Sequence, residues 1–93
     1  LPVYVTENGI ADASDSKRVR YLLGYLGELH RAVSEDGVPV RGYFHWTLMD
    51  SYEWNKGLGT RFGLYSVDRA TKKRIHTKAV PVYKKICSSN SLP

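Results

Sequence analysis

Apolar positions recur along this chain with two different periods. Val3, Tyr4, Val5 and Thr6 are β-branched or aromatic in succession, the pattern of a strand with little polar face. The run ends on Glu7, and Asn8-Gly9 follow as a turn pair. Residues 2–6 therefore predict a strand that delivers a carboxylate to its own carboxyl end. "ADASDS" (11–16) is polar loop material in which Ser14 and Asp15 are candidate helix caps. From there Val19, Leu22, Leu23, Leu26, Leu29 and Val33 keep helical spacing. Gly37 closes that helix, with Pro39 soon after. Gly24 and Gly27 weaken its interior, and close packing against a neighbour would account for them.

"VRGYFHWTL" (40–48) predicts a second strand. Strand, helix and strand in that order have the size of a βαβ unit, which implies parallel strands and a right-handed crossover. "RFGLYSVD" and "KKRIHT" flank the turn "DRATK" and predict a short hairpin. Ala79, Val82, Tyr83 and Ile86 give a last helix, with Pro81 tolerated in its first turn. The terminal "SSNSLP" is expected to fray, which divides the chain into an ordered 1–88 and a tail at 89–93.

Two parallel strands and two helices make an incomplete layer. Parallel strands occur with both faces covered, and nothing in this chain is able to cover them fully. The fold class is α/β, as part of a larger layer. With 93 residues, 42% of them hydrophobic and 25% charged, the composition is globular and allows one domain at most. No apolar run approaches the ~20 residues of a membrane span, and no charged segment leads into an apolar one as in a secretory signal. No membrane partner is expected.

Lys and Arg give a net charge of +5, concentrated in "KRVR" (17–20) and "RATKKR" (69–74). No nucleic-acid motif accompanies the charge, so a solvated helix face and a solvated hairpin tip are the simpler reading. The single Cys87 excludes an intrachain disulfide and leans towards a reducing compartment. A cytoplasmic location is the expectation; an extracellular one stays open because the first residue is Leu1 and not Met. His30, His45 and His76 are scattered without metal-ligand spacing, and neither a metal nor another cofactor is expected.

The chemistry gathers at the strand ends. Glu7 follows the first strand, and the second leads into "HWTLMDSYEWNKGLGTRFG", which carries Trp46, Asp50, Tyr52, Glu53, Trp54, Arg61 and Phe62. In parallel α/β folds the loops after the carboxyl ends of strands hold the ligand site. Carboxylates among flat aromatic rings suit a sugar, since hydroxyls seek charged acceptors and the C–H face of a pyranose packs on an indole.

"PVYVTENG", "HWTLMDSYEW" and "RFGLYSVD" together resemble the C-terminal quarter of the family-one glycoside hydrolases, the β-glucosidase and β-galactosidase group. The resemblance covers nearly the whole chain, in order. It implies a (β/α)₈ barrel of which these strands are the seventh and eighth with their following helices, incomplete alone. It implies that Glu7 is the nucleophile of a retaining glycosidase acting by double displacement, beside Asn8. Trp46 becomes the floor of the glycone pocket, Glu53 the acceptor for outer hydroxyls, Trp54 a further contact and Phe62 its closing wall, although a Phe in "RFGLY" also suits a core. Asp50 and Arg61 become supporting residues that hold the loop. A cis peptide at Trp46-Thr47 is implied as well.

Family members acting on 6-phospho-sugars replace the residue matching Glu53, because a carboxylate repels a phosphate, so Glu53 implies unphosphorylated β-glucosides or β-galactosides, or oligosaccharides of them. The chain departs from the family pattern at Ser51, where Asn is usual, and at Leu58, where an aromatic is usual. The acid/base carboxylate of the family lies in an Asn-Glu-Pro motif that does not occur here. The isolated chain is therefore expected to be inactive, needing the remainder of the barrel, strands one to six, in cis or in trans. Two other readings stand beside this one: a sugar-binding fragment without catalysis, and a basic nucleic-acid binder.

Overall fold

A computed structural model describes residues 1–93. Strand β1 (Val3–Asn8) leads to helix α1 (Arg18–Ser34), then to strand β2 (Val40–His45), parallel to β1. The register pairs Val3 with Val40, Val5 with Tyr43 and Asn8 with His45, with irregularities on either side of Tyr4–Val5. A long connection containing a 3-10 turn (Trp54–Lys56) reaches the antiparallel hairpin of β3 (Tyr65–Val67) and β4 (Arg74–His76), and helix α2 (Ala79–Ser89) follows. The βαβ unit, the hairpin and the last helix are those the apolar pattern predicts.

The second strand is shorter than the expected 40–48, because its last residues change partner. The Trp46-Thr47 peptide is cis. Beyond it Thr47 N–H donates to Phe62 O at 3.3 Å, while Leu64 N–H and Tyr65 N–H donate to Thr47 O and Leu48 O, both at 2.9 Å. Residues 47–48 are thus hydrogen-bonded to the segment leading into β3 and to its first residue, not to β1.

The start of α1 also differs from expectation. Neither Ser14 nor Asp15 caps it; the carboxylate of Asp12 accepts from Lys17 N–H at 2.7 Å and from Arg18 N–H at 3.0 Å. An acceptor placed there satisfies N–H groups that have no partner within the helix. Asp15 instead accepts from Lys78 N–H at 2.9 Å, so it serves the start of α2. At the other end of α1, Gly37 has a φ of +66°, and Val38 N–H returns to Ala32 O at 3.0 Å. That closure explains the glycine. Around Gly24 and Gly27 no atom of the chain stands within 4 Å of where a side chain would begin, so the expected close neighbour is not provided by this chain.

The core is small. Leu22, Leu26, Leu64 and Ala79 are its buried apolar members, and Val19, Leu29, Tyr43, Val82, Tyr83, Ile86 and Leu92 pack around them. Apolar packing thus lies between the two helices and the segment leading into the hairpin. Neither β1 nor β2 has a buried residue, and Tyr4 and Phe44 are exposed.

Arg18 is the polar centre of this arrangement. It is 1% exposed, and its Nη2 donates to Asp12 O at 3.1 Å and to Arg61 O at 2.6 Å. Arg61 O also accepts Asp12 N–H at 2.9 Å. The loop after β1 is thereby joined to the segment containing Phe62.

Candidate active site

The strand ends place Glu7, Trp46, Glu53, Trp54 and Phe62 around one open concavity of about 450 Å³, which Asn8, Gly9 and Tyr21 complete. Five residues spread over 56 positions of the sequence, from 7 to 62, are brought together there. Glu7 is exposed, and its carboxylate has no ion pair within the chain.

Glu7 lies near the end of β1 and Trp46 directly follows β2, where the pairing of the two strands stops. Trp46 N–H donates to Asn8 O at 2.8 Å. A side chain on Gly9 would run into the carbonyl of Trp46, so only glycine lets the backbone leave β1 this close to β2. The indole N–H of Trp46 donates to Glu53 Oε1 at 3.0 Å. That bond orients the carboxylate while leaving its other oxygen for a ligand.

Trp54 is 84% exposed and has a φ of +45°, a conformation rare for a bulky residue. The surrounding turn holds it, with Glu53 N–H donating to Gly57 O at 2.8 Å and Gly57 N–H to Trp54 O at 3.1 Å. Strain of this kind gathers at ligand sites, where neighbouring bonds over-determine the backbone.

Asp50 and Arg61 lie outside the concavity. They line a neighbouring polar cavity of about 540 Å³ together with Asp12, Asp15 and Arg18. Arg61 Nη1 donates to Asp50 Oδ2 at 2.9 Å, and the Asp50 side chain is 1% exposed. Asp50 also accepts Gly63 N–H at 2.9 Å and Val67 N–H at 3.3 Å, so one buried carboxylate holds Arg61 and Gly63, the residues on either side of Phe62, and the end of β3. The two residues thus act on the loop and not in the concavity.

Two further residues reach the site unannounced by the sequence. Tyr43 OH donates to Asn8 Oδ1 at 2.9 Å, and Asn8 Nδ2 donates to Tyr21 OH at 3.2 Å. Burial pushes the hydroxyls of both tyrosines above the ordinary range; Tyr83 adds to this at Tyr43, and Tyr25 at Tyr21. Both remain protonated at neutral pH. No group of three or more His, Cys, Asp or Glu side chains is gathered as metal ligands, and no helix is long and apolar enough to cross a membrane.

A family model described as glycosyl hydrolase family 1 matches residues 1–92. The chain is 50% identical over 93 residues to a beta-galactosidase of Sulfolobus acidocaldarius, covering 100% of this chain and 19% of the relative. It is 41% identical over 100 residues to beta-glucosidase 34 of Oryza sativa subsp. japonica, covering 96% and 20%. Among solved structures, it superposes on a beta-glycosidase from Pyrococcus horikoshii with a TM-score of 0.94 at 47% identity, over 99% of this chain and 22% of that one. On a beta-glucosidase from Thermotoga maritima in complex with deoxynojirimycin the TM-score is 0.93 at 37% identity, over 99% and 23%. The chain thus spans about a fifth of the length of the relatives it matches. Its structural neighbours are (β/α)₈ barrel enzymes.

Proposed function

Since this chain belongs to glycosyl hydrolase family 1, we propose that it supplies the nucleophile and part of the glycone pocket of a retaining β-glycosidase. β1 and β2 are then the seventh and eighth strands of the barrel, and the rest of the barrel covers Tyr4 and Phe44, which this chain leaves exposed. The observation that carries the reading is that Glu7 shares one concavity with Trp46, Glu53, Trp54 and Phe62.

The reaction follows from what those groups are able to do. The Glu7 carboxylate attacks the anomeric carbon, and the bond from that carbon to the leaving oxygen breaks. A second carboxyl group, ~5–5.5 Å away, gives its proton to the leaving oxygen and then removes one from the water that releases the sugar. No residue of this chain is assigned that second role. The rest of the barrel must supply it, and the chain alone has negligible activity.

The sugar stacks on the indole of Trp46. Glu53, already held through one oxygen by Trp46, accepts hydrogen bonds from outer hydroxyls through the other. A phosphate at that end would meet a fixed negative charge, so the substrates are unphosphorylated β-glucosides or β-galactosides.

The test is covalent trapping. The full-length enzyme is incubated with 2,4-dinitrophenyl 2-deoxy-2-fluoro-β-D-glucoside, digested, and its peptides weighed. A fluoroglucosyl label on Glu7 is the expected result. A label on any other carboxylate overturns the reading.

A further inference from the structure

We propose that Tyr21 and Tyr43 are positioning residues that aim Glu7 by gripping the side-chain amide of Asn8 from two sides. This rests on the reading of Glu7 as the nucleophile. Three observations lead to it. The amide of Asn8 is engaged at both ends, its oxygen by Tyr43 OH at 2.9 Å and its nitrogen by Tyr21 OH at 3.2 Å. The two hydroxyls come from different elements, Tyr21 from α1 and Tyr43 from β2, the strand paired with β1. The backbone of Asn8 is also taken, its carbonyl accepting Trp46 N–H at 2.8 Å.

The grip matters because of strand geometry. Glu7 and Asn8 are consecutive residues at the end of β1, so their side chains turn with one and the same piece of backbone. Any rotation of the strand end that swings the Glu7 carboxylate must also swing the Asn8 amide. With its oxygen and nitrogen each anchored, that amide resists the rotation. Within this chain Glu7 has no ion pair of its own, so the hold that this chain exerts on it runs through its neighbour. Misplacement of a reacting atom by about 1 Å costs on the order of 100-fold in rate.

The chemistry of the three side chains agrees with this role. An amide offers an acceptor at one end and a donor at the other. Tyr43, kept protonated by its burial, supplies the donor; Tyr21 supplies the acceptor. Tyr21 retains a hydroxyl proton for a bond elsewhere, and its ring lies 4.3 Å from that of Tyr25, centroid to centroid. The grip is made of neutral hydrogen bonds and carries no formal charge.

The experiment measures the trapping reaction in two parts on the full-length enzyme, using the same 2-deoxy-2-fluoro glucoside: the binding constant of the reagent and the limiting rate of labelling at Glu7. Tyr43→Phe and Tyr21→Phe each remove one oxygen and keep the ring. The limiting rate is expected to fall about tenfold in Tyr43→Phe and about threefold in Tyr21→Phe, the scale of one lost hydrogen bond, with binding changed less than about twofold. Because both act on one amide, the double variant is expected to fall short of the product of the single losses. Melting temperatures are recorded alongside, since a purely structural role would lower them and leave the limiting rate intact well below the transition.

Unchanged labelling rates in both variants, a loss confined to binding, or a double loss equal to the product overturns the proposal and leaves the role of Glu7 standing. Label on a carboxylate other than Glu7 in the unaltered enzyme overturns both together. Should either Phe variant fail to fold, Asn8→Ala in the same assay reads the same connection, with a fall of at least tenfold in the limiting rate expected and no fall overturning it.

Discussion

Asn8 and Trp46 are joined backbone to backbone: the N–H of Trp46 donates to the carbonyl of Asn8 at 2.8 Å, where β1 and β2 cease to pair. The residue that neighbours the proposed nucleophile is therefore bonded directly to the proposed floor of the sugar pocket. Reaction centre and platform share one strand end, and a shift in either is felt by both.

Gly9 sets how near those two stand. A methyl group there meets the Trp46 carbonyl, and Gly9→Ala must push the loop away from β2. We expect kcat/KM of the full-length enzyme to fall on the order of 100-fold. The loss should affect glycosides of every leaving group alike. Steady-state kinetics on two aryl glycosides of different leaving-group acidity would check it.

Trp46→Phe keeps an aromatic platform but removes the N–H that holds Glu53. Glycosides with free hydroxyls at C4 and C6 should lose about 5- to 30-fold in kcat/KM, the cost of a misdirected charged acceptor. A 6-deoxy glycoside should lose less. Equal losses on both would show that the Trp46–Glu53 bond does not reach the sugar.

Arg61→Met leaves the buried Asp50 carboxylate without its cation. Arg61 is itself partly exposed, so the cost should lie near the lower end of what breaking a buried pair brings, about 2–4 kcal/mol. Chemical denaturation would measure it. Asp50→Asn added to Arg61→Met should restore part of the loss, because no uncompensated charge then remains.

Two groups make stability depend on pH. Burial, with the charge of Arg18 adding to it, lowers His45 from 6.5 to about 4. The unfolded chain therefore takes up a proton first as pH falls, and stability present above pH 6.5 is lost on the way down to about 4; His45 is only partly buried, and solvent screening holds the loss to on the order of 1–2 kcal/mol. At Asp12 burial favours the protonated acid, but hydrogen bonds from Lys17 N–H, the Ser14 hydroxyl and Arg18 N–H outweigh it and bring the group from 3.8 to about 2. Its contribution is complete above 3.8 and disappears towards 2. Denaturation midpoints of the full-length enzyme between pH 7 and 2 should show both slopes, with His45→Gln removing the upper one.

The isolated chain should lack a cooperative melting transition. Only nine of its 93 residues are buried, four of them apolar, far short of what a stable domain encloses. Strong binding of an apolar dye and a broad thermal profile are expected, together with no measurable hydrolysis of an aryl β-glucoside. A sharp calorimetric peak from the chain alone would contradict this.

Local pattern carried much of this architecture. The spacing of Leu22, Leu26 and Leu29 marked the face of α1 that packs inward, and "PVYVTENG" with "HWTLMDSYEW" marked the two strand ends. What local pattern could not supply were bonds between distant positions. Asp12 caps α1 from outside the expected pair because Asp15 is drawn 63 residues away to the start of α2. Tyr43 and Tyr21 meet Asn8 across 35 and 13 positions, and in the sequence both look like ordinary aromatic members of their elements. The apolar run 40–48 extends past the end of β2 because Trp46, Thr47 and Leu48 continue its pattern, and only the hydrogen bonds of residues 47–48 to residues 62–65 reveal the change of partner.

Arg18 has a bearing on engineering. Its guanidinium reaches the main chain at Asp12 and at Arg61, and main-chain carbonyls are present whatever side chains a homologue has there. A designer who transplants the 48–63 loop from another enzyme keeps the acceptor at position 61 only if the incoming backbone follows the same path. Donor loops are best chosen by where that single carbonyl falls, ahead of any match in the pocket's side chains.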